Sequence, residues 1–182
     1  MKKVYVTFGR LNPPTIGHEK LLKAVQSKAG SDDWLIVTSQ SVNQKTDPLP
    51  YKTKVELIQK MFPWAKIETE AGCNTIIKVA QDMMMKEYPD IVMVVGSDRE
   101  ADFDKLLQKQ NSKDYAFKTI KVISAGDRDP DGDGAAGMSA SKMRAAAKTQ
   151  NTTDFIAGIP DTLTIQETVS YTHLTLPTKR IV

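Results

Sequence analysis

Two short stretches of the sequence carry residues that could bind an anion. Residues 9–18 read G-R-L-N-P-P-T-I-G-H. The two prolines exclude a helix across them, and Gly17 lets backbone N–H groups approach a ligand at the start of the next helix. His18 adds a side-chain donor there. Because a helix N-terminus carries roughly half a positive charge, the expected ligand is a phosphate or a carboxylate. Taken alone, the stretch also fits an ordinary strand-to-helix connection with an incidental histidine.

The second stretch is S-A-S-K-M-R, residues 139–144. It predicts another helix start, with Ser139 or Ser141 near the cap. The serine hydroxyls and the backbone N–H groups of a helix start both suit an anion. The chain therefore contains two candidate anion sites in helix-start positions.

Alternating strands and helices surround these stretches. The apolar runs predict strands over residues 4–8, 34–38, 66–69, 91–95 and 119–124. Amphipathic runs predict helices over residues 17–28, 51–62, 73–88, 99–110, 139–149 and 151–159. This alternation predicts an α/β fold, a Rossmann-like doubly wound parallel five-stranded sheet in a single domain.

The predicted sheet gives both stretches a common position. In a doubly wound sheet the first strand is usually central, and ligands bind beyond the carboxyl ends of the strands. One stretch follows the first predicted strand and the other follows the fifth. Both helix starts could therefore flank one phosphate chain, which suits a nucleoside triphosphate.

Length and composition favour one globular domain. The 182 residues are 40% hydrophobic and 26% charged, which is ordinary for a soluble protein. No apolar run approaches the roughly 18–20 residues needed to span a bilayer, and the N-terminus lacks a signal peptide's apolar segment. We therefore expect a cytoplasmic protein with no membrane partner. Cys73, the only cysteine, excludes an internal disulfide and a multi-cysteine zinc site, and we expect a buried thiol.

The net charge of +3 does not predict a nucleic-acid partner, because basic and acidic residues are interleaved throughout. Residues 170–182 contain Lys179 and Arg180 and no acid, and without them the charge is +1. This segment resembles a translated sequencing-adapter read-through, so we predict that it is non-native. A genuine C-terminal strand is the alternative. The predicted domain covers residues 1–160, followed by a tail over residues 161–182.

Three further features have both a functional and a structural interpretation. Residues 125–137 are rich in glycine and aspartate, and Asp127 to Gly132 match the start of an EF-hand loop. The twelfth position is Met138 rather than glutamate, so a mobile flap is favoured over a calcium site. The methionines at 83–85 are expected to fill the core. Lysines at 45, 52 and 54 could add a cation to the site, although lysine is most often a surface residue.

The two stretches together resemble the nucleotidylyltransferase superfamily with (H/T)-x-G-H and S-x-S-x-x-R motifs, in its cytidylyltransferase-like and nicotinamide mononucleotide adenylyltransferase-like branches. The resemblance spans residues 3 to about 160 and includes G-S-D after the fourth predicted strand. It is especially similar to compact phage-encoded members. Two motifs in this order, about 120 residues apart, are specific for the superfamily but not for a substrate.

The resemblance implies a site made of both motifs. Thr15 and His18 would contact the triphosphate, and His18 would stabilise charge on the transferred phosphoryl group. Arg144 would be the fixed cation on the β- and γ-phosphates, and it completes the implied catalytic set. The implied nucleotide-binding residues are Gly9, Arg10, Gly17, Gly96, Asp98, Ser139 and Ser141, with Gly96 and Asp98 near the ribose or the acceptor.

The resemblance also implies the reaction. A nucleoside monophosphate, with AMP as the leading choice, would pass from a nucleoside triphosphate to a small phosphorylated acceptor such as nicotinamide mononucleotide, and pyrophosphate would leave. Mg²⁺ would be bound through the triphosphate, because no carboxylate cage is evident near either motif and no protein metal site is expected. A homo-oligomer is left open.

Three alternatives remain at the level of sequence. The first is a cytidylyltransferase acting on a phospho-alcohol, because the motifs do not choose between ATP and CTP. The second is a class I aminoacyl-tRNA synthetase fragment, since S-A-S-K-M-R echoes the K-M-S-K-S signature; the lack of tRNA-binding appendages argues against it. The third is a non-catalytic nucleotide-binding module.

Overall fold

The computed structural model describes residues 2–43, 45–69, 72–126, 137–164 and 167. Within these ranges, strands and helices alternate as the sequence predicts. The strands are β1 (Lys3–Gly9), β2 (Asp33–Thr38), β3 (Ile67–Glu68), β4 (Asp90–Val95) and β5 (Thr119–Ser124). The helices are α1 (Ile16–Ala29), α2 (Tyr51–Met61), α3 (Ile76–Met85), α4 (Glu100–Gln110), α5 (Ala140–Lys148) and α6 (Thr152–Ile156), with a 3₁₀ turn at Ser97–Arg99.

The strands form one parallel sheet in the order β3-β2-β1-β4-β5. The central strand, β1, pairs in parallel with β2 on one side and with β4 on the other. The chain thus winds outward from β1 in one direction and then in the opposite direction, as in the doubly wound folds. The predicted Rossmann-like sheet with a central first strand is confirmed.

Contacts divide the chain into two compact units. The first unit comprises Met1–Gly9, Lys20–Ser39 and Ala65–Arg128, and its described part contains the sheet, α3 and α4. Every residue of β4 is buried, as expected for a central parallel strand covered on both faces. The core of this unit joins strand residues such as Val6 and Met93 to Val79 and Met83 of α3 and to Leu107 of α4.

The second unit comprises Arg10–Glu19, Gln40–Trp64 and Asp129–Val182. Its described part holds the loop after β1 together with α2, α5 and α6. Ile58, Met61, Met143 and Phe155 are buried to within 1% of complete. The chain after residue 160 also packs here, because the Thr162 Oγ1 donates to the Met61 carbonyl at 3.1 Å.

Helix α3 differs from its prediction at the N-terminal end. It begins at Ile76 rather than at residue 73, because the hydroxyl of Thr75 caps it by accepting the Lys78 N–H at 3.3 Å. Cys73 precedes the helix and is a buried thiol, as predicted. The prediction that residues 83–85 fill the core holds for Met83, which is fully buried, and is wrong for Met85, which is 75% exposed.

Some predictions concern segments outside the described residues. They are the Asp-rich loop over residues 127–133 and the C-terminal segment 170–182, and both stay predictions, as do the domain boundaries. In the described part of the chain, no helix combines the length and the apolar character that a membrane span requires.

Candidate functional site

Thr15 and His18 are hydrogen-bonded to each other at the start of α1. Thr15 directly precedes Ile16, the first helical residue, and His18 is the third residue of the helix. The Thr15 N–H donates to His18 Nδ1 at 3.0 Å, and Thr15 Oγ1 lies 2.9 Å from the same nitrogen. This is one half of a capping box, with histidine in the position usually held by Glu or Gln. The His18 N–H donates to the Thr15 carbonyl at 2.9 Å rather than to the Thr15 hydroxyl. The box fixes the imidazole at the helix N-terminus, with Gly17 between its two members.

The hydrogen bonds of the box also select the tautomer of His18. Because Nδ1 accepts the Thr15 N–H, the proton of the neutral ring lies on Nε2. The Thr15 hydroxyl donates its only proton to the Met138 carbonyl, 2.9 Å away. The Nε2 nitrogen of His18 is therefore a hydrogen-bond donor held in a fixed direction.

The second motif begins α5. Ser139 is the cap of this helix, and its hydroxyl accepts the Lys142 N–H at 3.2 Å. Arg144, one turn further on, donates from Nη2 to Ser141 Oγ at 3.0 Å and from Nη1 to the Asn12 carbonyl at 2.7 Å. The guanidinium is therefore fixed by two hydrogen bonds, one of them to the first motif's loop.

Two hydrogen bonds join the motifs within the second unit. Thr15 reaches Met138 across 123 residues of sequence, and Arg144 reaches Asn12 across 132 residues. Both contacts are short, and each links a side chain of one motif to the backbone beside the other. The structure thus brings together Thr15, His18, Ser141 and Arg144 within one unit of the fold.

Asn12 anchors the loop between β1 and α1, and sequence reasoning missed it. Its side chain is buried; Nδ2 donates to the Leu49 carbonyl and Oδ1 accepts the Leu49 N–H, both at 3.0 Å. Leu11 has a φ of 43°, an unfavourable backbone conformation for leucine, and the Asn12–Pro13 peptide bond is cis. The two hydrogen bonds of the Asn12 amide hold this loop in place, and they also fix the Asn12 carbonyl that Arg144 contacts.

A group of four charged residues lies in the same unit, and we call it the Asp47 cluster: Arg10, Asp47, Lys54 and Arg144. The Asp47 carboxylate is buried; Oδ2 accepts from Ser41 Oγ at 3.1 Å, and Oδ1 lies 3.9 Å from Arg10 Nη1. Burial lowers the pKa of Lys54 to about 8, and the charge of Asp47 opposes this shift. Burial and the like charge of Arg10 lower the pKa of Arg144, again against Asp47.

Lys54 does not fit the surface interpretation. Lys45 and Lys52 are exposed, as a surface role requires, whereas Lys54 is completely buried. A sequence signal was present, because Lys54 stands four and seven residues before Ile58 and Met61. These positions share one helix face, and that face is the buried one.

The remaining predicted site residues belong to the first unit. Gly9 ends β1, and its carbonyl accepts the Ser39 N–H at 3.0 Å. Gly96 follows β4, and a Cβ at this position would lie 2.7 Å from Asp98 Oδ1, so a larger residue here would displace the Asp98 side chain. Asp98 also pairs with Arg99 Nε at 3.4 Å. These contacts all lie within the first unit.

The grouped side chains of the second unit define a chemical class of ligand. Hydroxyls, a fixed imidazole N–H and guanidinium groups are donors or cations, and they suit the oxygens of a phosphate. Fixed donors of this kind stabilise charge that builds up on a reacting group. A doubly wound parallel sheet together with such groups is typical of Rossmann-like proteins that bind phosphorylated ligands.

Comparison with protein families identifies the family to which the chain belongs. The profile of the cytidylyltransferase-like family matches residues 6–156, and this range includes both motifs and parts of both units. The chain belongs to the cytidylyltransferase-like family, and it is therefore a nucleotidyltransferase. No curated protein sequence gives a significant match.

Solved structures share the fold at low sequence identity. A nicotinic acid mononucleotide adenylyltransferase from Plasmodium falciparum, complexed with NaAD, is 16% identical with a TM-score of 0.60, covering 96% of this chain and 98% of its own. A protein from Vibrio parahaemolyticus described as a candidate nicotinate-nucleotide adenylyltransferase is 16% identical with a TM-score of 0.54, covering 95% and 99%. Thermotoga maritima TmcAL, bound with alpha-thio ATP, is 12% identical with a TM-score of 0.54, covering 97% and 57%.

Proposed function

We propose that the protein transfers a nucleoside monophosphate, AMP as the leading choice, from a nucleoside triphosphate to a small phosphorylated acceptor such as nicotinamide mononucleotide. The observation that carries the proposal is the joined pair of motifs, in which the Thr15–Met138 and Arg144–Asn12 hydrogen bonds bring a fixed histidine and a fixed arginine into one unit. The fold shared with nicotinate-type adenylyltransferases supports this choice of donor and acceptor. Membership of the cytidylyltransferase-like family favours it over a synthetase fragment.

The proposed chemistry is an in-line displacement at the α-phosphorus. An oxygen of the acceptor phosphate forms a bond to the α-phosphorus, while the bond from that phosphorus to the bridging oxygen breaks. Pyrophosphate leaves with the electron pair of the broken bond. No covalent protein intermediate is needed, so the protein contributes positioning and electrostatic stabilisation.

Each motif would have a distinct role in this reaction. The Nε2–H of His18 would donate to an α-phosphate oxygen as negative charge grows there, and Thr15 would hold the ring in its donor tautomer. Arg144 would bind the β- and γ-phosphates, and Lys54 would add a buried cation. The other proposed nucleotide-binding residues are Gly9, Arg10, Gly17, Gly96, Asp98, Ser139 and Ser141.

Mg²⁺ would enter with the triphosphate. In the ranges that the structure describes, no group of three or more His, Cys, Asp or Glu side chains could hold a metal ion. The donors and cations of the site complement phosphate oxygens, whereas Mg²⁺ takes oxygen ligands and keeps several waters. The ion would therefore be coordinated by phosphate oxygens and water, and it would supply neutralisation of the phosphate charge.

A paired screen of donors and acceptors tests the proposal. The purified protein is incubated with Mg²⁺, either ATP or CTP, and one of nicotinamide mononucleotide, nicotinate mononucleotide or glycerol 3-phosphate. Pyrophosphate release is followed together with the mass of the product. We expect turnover with ATP and a pyridine mononucleotide. Turnover with CTP and glycerol 3-phosphate alone would overturn the substrate assignment, and nucleotide binding without turnover for any pair would indicate a non-catalytic module.

A further inference from the structure

We propose that Gly158 is a positioning residue for His18. Its carbonyl accepts the first N–H of α1, and its lack of a side chain leaves room for Met138, whose own carbonyl holds Thr15. This inference rests on the proposed function, because it assigns a purpose to the fixed direction of the imidazole. It adds a residue that belongs to neither motif and that lies in the turn after α6.

The first step is the way in which Gly158 itself is held. Gly158 lies just beyond the end of α6, and its N–H donates to the Phe155 carbonyl at 3.1 Å. The next N–H, that of Ile159, donates to the Ile156 carbonyl at 3.0 Å. Phe155 is fully buried, and Gly158 is buried as well. Hydrogen bonds and burial therefore fix the direction of the Gly158 carbonyl within the second unit.

The second step is the pair of hydrogen bonds that join this part of the chain to the start of α1. The Ile16 N–H donates to the Gly158 carbonyl at 2.9 Å, and the Thr15 hydroxyl donates to the Met138 carbonyl, also at 2.9 Å. The first N–H groups of a helix have no partner within the helix, so an external carbonyl fixes where the helix begins. Thr15 in turn donates its backbone N–H to His18 Nδ1 at 3.0 Å. The direction of the imidazole thus depends on two carbonyls from a distant part of the sequence.

The third step is the space around Gly158. A Cβ at this position would lie 2.7 Å from Met138 Cγ and still closer to Met143 Sδ. Such overpacking forces the neighbouring groups to move. The sulfur of Met143 is near the flexible end of its side chain, whereas the Cγ of Met138 is only two bonds from the backbone. A side chain at position 158 would therefore displace Met138 beside the carbonyl that Thr15 contacts.

The consequence is a change in the donors to His18 Nδ1. If Met138 is displaced, the Thr15 hydroxyl loses its acceptor and can donate instead to Nδ1, 2.9 Å away. Nδ1 has one lone pair, so this hydroxyl competes with the Thr15 N–H and turns the ring. A misplacement of about 1 Å can cost about a hundredfold in rate. Arg144 keeps its own two hydrogen bonds, so the affinity for the triphosphate should change much less.

The first experiment measures the geometry at His18 without any substrate. In protein labelled with ¹⁵N, NMR detects the coupling between the Thr15 amide nitrogen and His18 Nδ1 that passes through their hydrogen bond. We expect this coupling in the native protein and a clear loss of it in Gly158→Ala. Gly72→Ala is the matched control: Gly72 is exposed and a Cβ there would meet nothing within 4 Å, so the coupling should persist. Absence of the coupling from the native protein, or an unchanged coupling in Gly158→Ala, would overturn the proposal.

A second substitution tests the route through Met138. The double variant Gly158→Ala/Met138→Ala removes the Cγ that the new side chain would meet, and it opens space into which the end of Met143 can move. Alanine keeps the backbone carbonyl that Thr15 contacts, so we expect the coupling to return. If Gly158→Ala alone does not fold, a folded double variant with the native coupling would support the proposal. A double variant that does not fold, or that lacks the coupling, would overturn it.

The third experiment measures catalysis with a donor and acceptor pair that supports turnover. Gly158→Ala should lower kcat about tenfold or more and change KM for the triphosphate by less than about twofold, because the lost alignment acts in the transition state. Gly72→Ala should keep both values, and the double variant should regain most of kcat. The φ of Gly158 lies outside the left-handed region, so these effects report a contact and not backbone strain. An unchanged kcat, or a fall in kcat with an equal rise in KM, would overturn the proposal.

The experiments separate the inference from the function on which it rests. If the NMR coupling responds to Gly158→Ala and no pair of substrates is turned over, the proposed function fails while the placement of His18 by Gly158 stands. If the native protein is active and neither the coupling nor kcat responds, the role of Gly158 fails alone. Thermal unfolding verifies that each variant is folded at the temperature of measurement.

Discussion

At the scale of single residues, His18 has two functions that can be tested separately. Its Nδ1 accepts the Thr15 N–H at the start of α1, and its Nε2 is the donor proposed for the transferred phosphoryl group. The first function stabilises a helix start, and the second acts on the reaction. A substitution that restores one function without the other distinguishes them.

We predict that His18→Ala lowers kcat about a hundredfold or more, as the removal of a transition-state donor does, and lowers the free energy of unfolding by about 1 kcal/mol through the lost cap. Glutamine is a usual residue at this helical position, so His18→Gln should regain the stability and remain slow. Steady-state kinetics and urea unfolding measure the two effects. Rates that recover together with the stability of His18→Gln would show a structural histidine.

Lys54 gives a second prediction, on stability against pH. Its pKa is lowered from the usual 10.5 to about 8 in the folded protein, so between these values the unfolded chain binds more protons than the folded chain. The contribution of Lys54 to stability therefore rises as the pH rises from about 8 to 10.5. The change is about 3 kcal/mol at most.

Comparison with Lys54→Met isolates this contribution, because methionine does not titrate. The variant should be more stable than the native protein near pH 7, and its advantage should shrink as the pH rises toward 10.5. Urea unfolding of both proteins at pH 7, 8, 9 and 10 provides the measurement. A difference that does not vary with pH would contradict a desolvated ammonium at this position.

The residues of the site were predictable from sequence to different degrees. Thr15, His18 and Arg144 stand in motifs with fixed spacing, so their proximity followed from the fold. Asn12 and Asp47 lie in irregular loops and act through hydrogen bonds and charge. No periodicity marks such residues, because their contacts depend on which segments the folded chain brings beside them.

At the scale of elements, the loop between β1 and α1 depends on partners that are distant in sequence. Asn12 bonds to Leu49 through both ends of its amide, and Arg144 bonds to the carbonyl of Asn12. The Ile16 N–H at the helix start donates to the Gly158 carbonyl at 2.9 Å. The loop is therefore held from several sides, which allows the unfavourable backbone of Leu11 to persist.

We predict that Asn12→Ala lowers the free energy of unfolding by about 1–3 kcal/mol, because the Leu49 N–H and carbonyl lose their partners in a buried place. It should also weaken Mg²⁺–ATP binding, because the loop that orients Arg144 loses its anchor. Urea unfolding and calorimetry measure the two effects.

Asn111 provides a matched control. Its amide bonds to both backbone groups of Phe117, at 3.2 and 3.0 Å, in the same two-ended way. Asn111→Ala should cost similar stability and leave ATP affinity unchanged. Equal losses of ATP affinity in the two variants would contradict a specific role for Asn12.

The elements themselves were largely predictable, and their ends were not. Continuous apolar runs identified the strands because a parallel sheet is covered on both faces. The start of α3 was wrong by three residues because a cap is a local hydrogen bond of Thr75, which hydrophobic periodicity does not report. The exposure of Met85 was missed for a related reason: methionine suits a core but does not require one.

At the scale of the whole molecule, the fold depends on the alternation of strands and helices rather than on sequence identity. Three solved structures that share it are 12–16% identical to this chain and have TM-scores of 0.54–0.60. Alternating strands and helices with a central first strand are sufficient to specify such a sheet. Substrate choice is not set at this scale, because one fold carries many chemistries and the acceptor is selected by individual side chains.

The long-range hydrogen bonds of the two motifs also set an order of events during synthesis. Thr15 and Asn12 leave the ribosome more than a hundred residues before Met138 and Arg144, their partners. A nascent chain that ends before Met138 has neither of these hydrogen bonds and lacks Ser139, Ser141 and Arg144 of the proposed site. If the proposed function holds, a nucleotide can therefore bind both motifs only after Arg144 has been synthesised, and the earlier segments fold without that ligand's full set of contacts.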